Sequence, residues 1–191
     1  KCGGGVYIDS NSTFTMNAGI IEGNGAFSGG GVYVRGTFEM NGTTTSTQIK
    51  SNKRIHGNNN PNVELSSLLG DSVQLTSNVE VGIPGTFNMN GGIITSNLSR
   101  GQNGAGVCVF ASSSNGDSAG TAKFNMNDGE ISGLTISENA AVYLSGSFSG
   151  CNLEFNMSGG KISNNTSIGG TSNVGGAAVY TAGYSNITMT G

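Results

Sequence analysis

The residues able to do acid–base chemistry are few and scattered. Eleven Asp and Glu are spread over 191 residues, and no two are adjacent. A carbohydrate-cleaving site needs a pair of carboxylates close together, one to give a proton and the other to take one or attack. The nearest pair, Asp128 and Glu130, brackets Gly129 in a turn-like stretch, while Glu39 and Glu154 belong to repeats far apart in the chain. Asp9, Asp117 and Asp128 stand beside Ser or Gly, where Asp commonly shapes a turn. The sole histidine, His56, lies in Lys53-Arg54-Ile55-His56-Gly57, with no Cys or Ser nucleophile motif around it. Cys and His lack metal-ligand spacing, and no acidic calcium-binding nonapeptide occurs. The reading is therefore no catalytic site, no metal and no cofactor.

Binding chemistry is better represented. Tyr7, Tyr33, Tyr143 and Tyr180 each follow a valine in the same short phrase. If that valine points inward, alternation turns the tyrosine outward. A rank of exposed tyrosines would suit a sugar or a protein; the other reading is that the rings only stabilise one another. Lys50, Lys53, Arg54 and His56 form the only basic cluster, and the net charge is -3. Without a basic stripe, nucleic acid is not the expected partner.

A second rank is polar and uncharged. Thr13-x-Thr15-x-Asn17, Thr37-x-Glu39-x-Asn41 and Thr86-x-Asn88-x-Asn90 repeat one pattern. Ordered Thr ranks resemble those of ice-binding proteins, but Glu39, Lys123 and Glu154 interrupt them. Asn-x-Ser/Thr triplets begin at Asn11, Asn41, Asn97, Asn156, Asn164, Asn165 and Asn186. In a eukaryotic secretory pathway these would be glycosylation acceptors.

The elements that position these residues are repeats. All 6 methionines fall in one phrase: Phe14-Thr15-Met16, Phe38-Glu39-Met40, Phe87-Asn88-Met89, Phe124-Asn125-Met126, Phe155-Asn156-Met157 and Ile187-Thr188-Met189. A second phrase is Gly4-Gly5-Val6-Tyr7-Ile8, echoed at Val32, Val107, Val142 and Val179. A third is Ile-x-x-Asn, from Ile21 to Asn24, Ile49 to Asn52, Ile94 to Asn97, Ile136 to Asn139 and Ile162 to Asn165. Each phrase is short, β-prone and bounded by Gly, Asn or Ser, so each reads as a strand followed by a turn. Phe and Met, two apart, share a face, and their apolar character assigns that face to the core. The predicted core is thus Phe14, Met16, Phe38, Met40, Phe87, Met89, Phe124, Met126, Phe155, Met157, Ile187 and Met189.

Three strands per repeat predict an all-β solenoid, one domain over 1–191, whose windings pair in parallel and place like residues over like. Asn17, Asn41, Asn90 and Asn127, continued by Ser158 and Thr190, would then form an amide ladder. So would Asn24, Asn52, Asn97, Asn139 and Asn165 at the corners. The interval from Phe38 to Phe87 is 49 residues, against 24 from Phe14 to Phe38. Residues 54–83, with alternating segments at 62–65 and 72–75, read as an inserted degenerate turn, making about seven turns and a stack of about 30–35 Å. Charged residues are only 10% of the chain. No run is long enough for a membrane-spanning helix. Of the 3 cysteines, Cys2 lies too many windings from Cys108 to bridge it. Cys108 and Cys151 lie on neighbouring windings and could pair; three unpaired thiols is the alternative.

Gly-Gly-Gly-Val-Tyr together with Ile-x-x-Asn resembles the repeats of polymorphic outer-membrane proteins and related bacterial surface adhesins. Their signature alternates Gly-Gly-Ala-Ile with Phe-x-x-Asn; here Ile stands for the Phe. The resemblance covers nearly the whole chain except about residues 54–83. It implies a right-handed parallel β-helix, exported to the cell surface, and it brings no catalytic residues. The expected function is a non-catalytic extracellular adhesin segment, stalk or filament subunit, with a glycan-binding or glycan-cleaving module as the alternative. The chain opens and closes inside a repeat. Its expected partners are therefore further repeats of the same chain or head-to-tail copies, with host or matrix glycans or proteins beyond them.

Overall fold

The computed structural model describes residues 2–54, 73–76, 85–99, 106–111, 120–136, 140–146, 149–168 and 176–191. Among these residues the fold is all-β, and every described strand pairing is parallel. Two long sheets dominate. One has 6 strands in chain order: Val6–Ile8, Val32–Val34, Val73–Thr76, Val107–Ala111, Val142–Gly146 and Val179–Gly183. The other aligns Thr13–Met16, Thr37–Met40, Gly85–Thr95, Thr121–Ser132, Asn152–Met157 and Ser185–Met189, again in chain order. One strand from each makes a row, and each row pairs with its predecessor and successor.

Like lies over like. Val6, Val32, Val73, Val107, Val142 and Val179 are in register, as are the Phe-x-Met phrases. Phe38, Phe87, Phe124 and Phe155 are fully buried. Their rings stack at centroid separations of 4.8, 4.9 and 5.0 Å, with Phe14 added at 5.5 Å. Each buried ring contributes roughly 1.5–3 kcal/mol from burial, and each stacked pair about 0.5–1.5 kcal/mol more. Met16, Met40, Met89 and Met126 are buried beside them.

Four of the expected core residues depart from that description. Phe14, Met157 and Ile187 are only partly buried, and Met189 is 61% exposed. Phe14, Ile187 and Met189 lie in the first and last rows, which have a neighbour on one side only; Met157 lies in the row before the last, between Met126 and the exposed Met189.

The methionines explain the glycines that follow them. Gly92, Gly129 and Gly160 sit at the bend after the Met phrase with φ of +82°, +96° and +81°. A Cβ there would lie 2.6 Å from the Cε of Met40, 2.8 Å from that of Met89 and 2.8 Å from that of Met126, respectively. The thioether of each row thus ends beneath the bend of the next. An unbranched, flexible side chain can thread that space, and only glycine leaves it open.

Two expectations about register are corrected. The interval between Phe38 and Phe87 adds no winding to the core sheet, because Phe38 pairs directly with Phe87. Val73–Thr76 instead supplies the third strand of the valine sheet, so the 6-stranded valine sheet and the Phe-x-Met path through the 9-stranded core sheet both run through six rows where about seven turns were expected. The segment at 62–65 lies outside the described residues, as does most of 54–83. The fourth Ile phrase is also not the one at Ile136 to Asn139. Ile94 pairs with Ile131, and Ile131 with Ile162, so Leu134 occupies the corner position; Asn139 lies outside the described residues.

Candidate functional site

The outward positions of the core sheet carry two lanes of amides. In one, Asn41 Nδ2 donates to Asn17 Oδ1 at 2.8 Å, Asn90 to Asn41 at 3.0 Å and Asn127 to Asn90 at 2.8 Å; Ser158 Oγ then donates to Asn127 Oδ1 at 3.2 Å. The second lane runs through the residues between Phe and Met. Asn88 Nδ2 donates to Glu39 Oε1 at 2.6 Å, Asn125 to Asn88 at 2.7 Å and Asn156 to Asn125 at 3.1 Å. Asn90 also reaches Glu39 Oε2 at 3.2 Å, so both carboxylate oxygens are held. Each of these row-to-row bonds is donated toward the lower-numbered row, and Asn156 Nδ2 also reaches Glu154 Oε2 in its own row at 3.4 Å. The first lane follows from the repeated Asn after Met. The second is hidden in sequence because Thr15, Glu39 and Thr188 occupy its positions in other rows.

A third set of amides braces the corners. Asn52 Oδ1 accepts from Asn24 N at 3.0 Å, and its Nδ2 donates to Ile21 O at 2.8 Å. Asn97 repeats this one row later, with Asn52 N at 2.9 Å and Ile49 O at 3.4 Å, and Asn165 does so with Leu134 N and Ile131 O, both at 3.1 Å. Asn52 and Asn97 are buried, so these bonds satisfy groups that water does not reach. The Leu134 side chain carries no amide, and the ladder is interrupted in its row.

The tyrosine rank resolves into pairs. Tyr7 stacks on Tyr33 with centroids 5.4 Å apart and planes 8° apart, and Tyr143 on Tyr180 at 5.7 Å and 4°. Between them the register places Gln74 and Cys108, and Cys108 is buried. A sugar stacks on an open ring face; here each pair spends one face of each ring on the other. Arg35 donates to Tyr7 Oη at 3.4 Å and lies 3.8 Å from Asp9. Its pKa is raised, first by that hydrogen bond to Tyr7.

Charged side chains are used to join rows. Lys50 lies 3.7 Å from Glu22, Lys123 2.8 Å from Glu154 and Lys161 3.4 Å from Glu130, each pair directly in register. Hydrogen bonding by Lys123 holds the Glu154 carboxyl below its ordinary range, with Asn156 and Asn152 assisting. Glu130 is lowered chiefly by the Ser132 hydroxyl, then by Lys161. Asp9 and Asp128 serve turns, accepting from Ser10 N at 2.8 Å and Gly129 N at 2.7 Å. His56 and Asp117 lie outside the described residues. Among the described residues no group of three or more His, Cys, Asp or Glu could hold a metal. No disulfide joins Cys2, Cys108 or Cys151 to another described cysteine, and Cys151 Sγ donates to Ala111 O at 3.8 Å.

No known protein family, curated protein or solved structure matches the chain. Function must therefore be argued from the faces themselves.

Proposed function

We propose that the chain winds as a right-handed, single-stranded parallel β-helix and serves as a non-catalytic segment of an extracellular surface or filament protein. Rows that follow chain order in parallel, through the valine strand, the core strand and the Ile phrase, support a coil. The right-handed sense is the one that parallel crossovers take almost always. The observation that carries the functional reading is where the surface polar groups go. Glu22, Glu130, Glu154 and the asparagine lanes all bond from one row to the next. That investment lengthens and stiffens a stack and assembles no acid–base pair.

The partner in this reading is more of the same architecture. Ile20 and Met189 are 53% and 61% exposed in the outer rows, and a further row, from the same polypeptide or a second copy, would cover them. Secretion and surface display rest on the resemblance to adhesin repeats and on the polar, sparsely charged composition. Small-angle scattering and sedimentation of the purified chain test the reading. A rod about 29 Å long per copy, at about 4.8 Å per row, that extends end to end with concentration is expected. A compact monomer at all concentrations, or multiple-turnover release of reducing ends from any polysaccharide, would sink it.

A further inference from the structure

We propose that the two asparagine lanes form a binding face for a neutral, hydroxyl-rich polysaccharide lying along the stack. The inference goes beyond the structural role and stands on separate observations. A side-chain amide has two N–H donors and two oxygen lone pairs. In the described ladder bonds Asn41, Asn88, Asn125 and Asn127 each commit one N–H and one lone pair. One donor and one acceptor per side chain are left for a ligand, repeated at the row spacing. The rotamers are already fixed by the ladder, so binding loses little further side-chain freedom.

The face also selects against charge. Glu39 is clasped by Asn88 and Asn90, and Lys123 is paired with Glu154. A polyanion would meet two carboxylates there and no unpaired cation among the lane residues. A protein partner would lack the aromatic or arginine anchors that carry most interfaces. Hydroxyls, which donate and accept together, match the leftover amide valence. Single contacts of this kind are weak against water, and a polymer gains by engaging several rows at once. The paired tyrosines are not part of this face.

Affinity electrophoresis of the 191-residue chain through gels containing hydroxyethylcellulose, galactomannan or polygalacturonate provides the test. Retardation is expected in at least one neutral gel, unchanged at high salt, and absent with polygalacturonate. Asn88→Ala combined with Asn125→Ala should weaken it about tenfold or more. Thr86→Arg places a bulky cation beside the lanes without removing a described ladder bond, and should do the same in a chain whose thermal midpoint is kept. Tyr33→Ala should leave retardation intact. No retardation in either neutral gel, retardation only by polygalacturonate, or full binding in both lane variants overturns the proposal. Arrest of ice-crystal growth without polysaccharide binding overturns it too, and reassigns the lanes to ice; none of these outcomes touches the rod geometry.

Discussion

Gly92→Ala probes the contact between methionine and bend in isolation. The φ of +82° puts an L side chain in the left-handed region, at about 1–2 kcal/mol. The new methyl also falls 2.6 Å from Met40 Cε and 2.9 Å from Thr47 O. Met40 is fully buried and has nowhere to retreat, so crowding adds about 1–3 kcal/mol. A total loss of about 2–5 kcal/mol is expected. In a Met40→Ala background, itself costing about 2–5 kcal/mol, the thioether is gone. Only the backbone strain and the Thr47 contact remain. Gly92→Ala should then cost at least about 1 kcal/mol less than in the parent, a coupling larger than the spread of independent sites. Urea unfolding of the four proteins, followed by far-ultraviolet circular dichroism, supplies the cycle. Losses that add within about 0.5 kcal/mol would show that the methionine does not fill the space under the glycine, and the explanation for the Met-Asn-Gly-Gly phrase would fail.

Asn97→Ala removes a buried acceptor for Asn52 N and a donor to Ile49 O; a loss of about 1–3 kcal/mol in urea stability is expected, and a change within about 0.3 kcal/mol would refute the corner-brace role. Phe87→Ala opens a hole in the ring column and should cost about 3–5 kcal/mol, whereas Met189→Ala, at an exposed position, should cost under about 1 kcal/mol; equal losses would contradict the burial pattern. Glu130 and Glu154 have folded pKa values held below the ordinary glutamate value of 4.5. Their stabilisation is therefore fully present above about pH 5 and is lost as pH falls through the lowered folded values. Urea midpoints should hold from neutral pH to about 5 and then drop, with a shallower drop in Lys123→Gln; an identical acid profile in that variant would show that the Lys123–Glu154 contact contributes nothing.

Much of the core was legible because alternation is local. Phe38-Glu39-Met40 declares its inward and outward positions without reference to any other row, and parallel stacking of like phrases then sets the column. The Asn17–Asn41–Asn90–Asn127 lane followed from the same logic. What failed needed register across long intervals. Val73-Gln74-Leu75 lacks both the glycines and the tyrosine of its sheet, so it read as part of an extra winding when it was the valine strand of the third row. Ile131 to Leu134 has leucine in place of the corner asparagine, while Ile136 to Asn139 carries the expected letters a few residues later, so only register identifies the true phrase. Cys108 stands visibly in the tyrosine position of its phrase, but Gln74 takes that position in the third row only through register, and together they divide the rank into two pairs. The methionine under the next row's glycine, and the matching of Lys123 to Glu154, exist only between rows, and a linear reading has no view of them.

Bonding confined to adjacent rows also has a mechanical meaning. Corresponding residues in neighbouring rows, such as Asn88 and Asn125 or Asn125 and Asn156, are 37 and 31 positions apart. On the coil proposed above, tension applied between the termini would therefore peel one winding at a time from whichever extremity yields first. Each detached winding would release roughly 100–130 Å of slack at about 3.3–3.6 Å per residue, while those beyond it stay intact. Such a molecule would behave less like a beam that snaps than like a spool that pays out cord under load and can rewind when the pull relaxes.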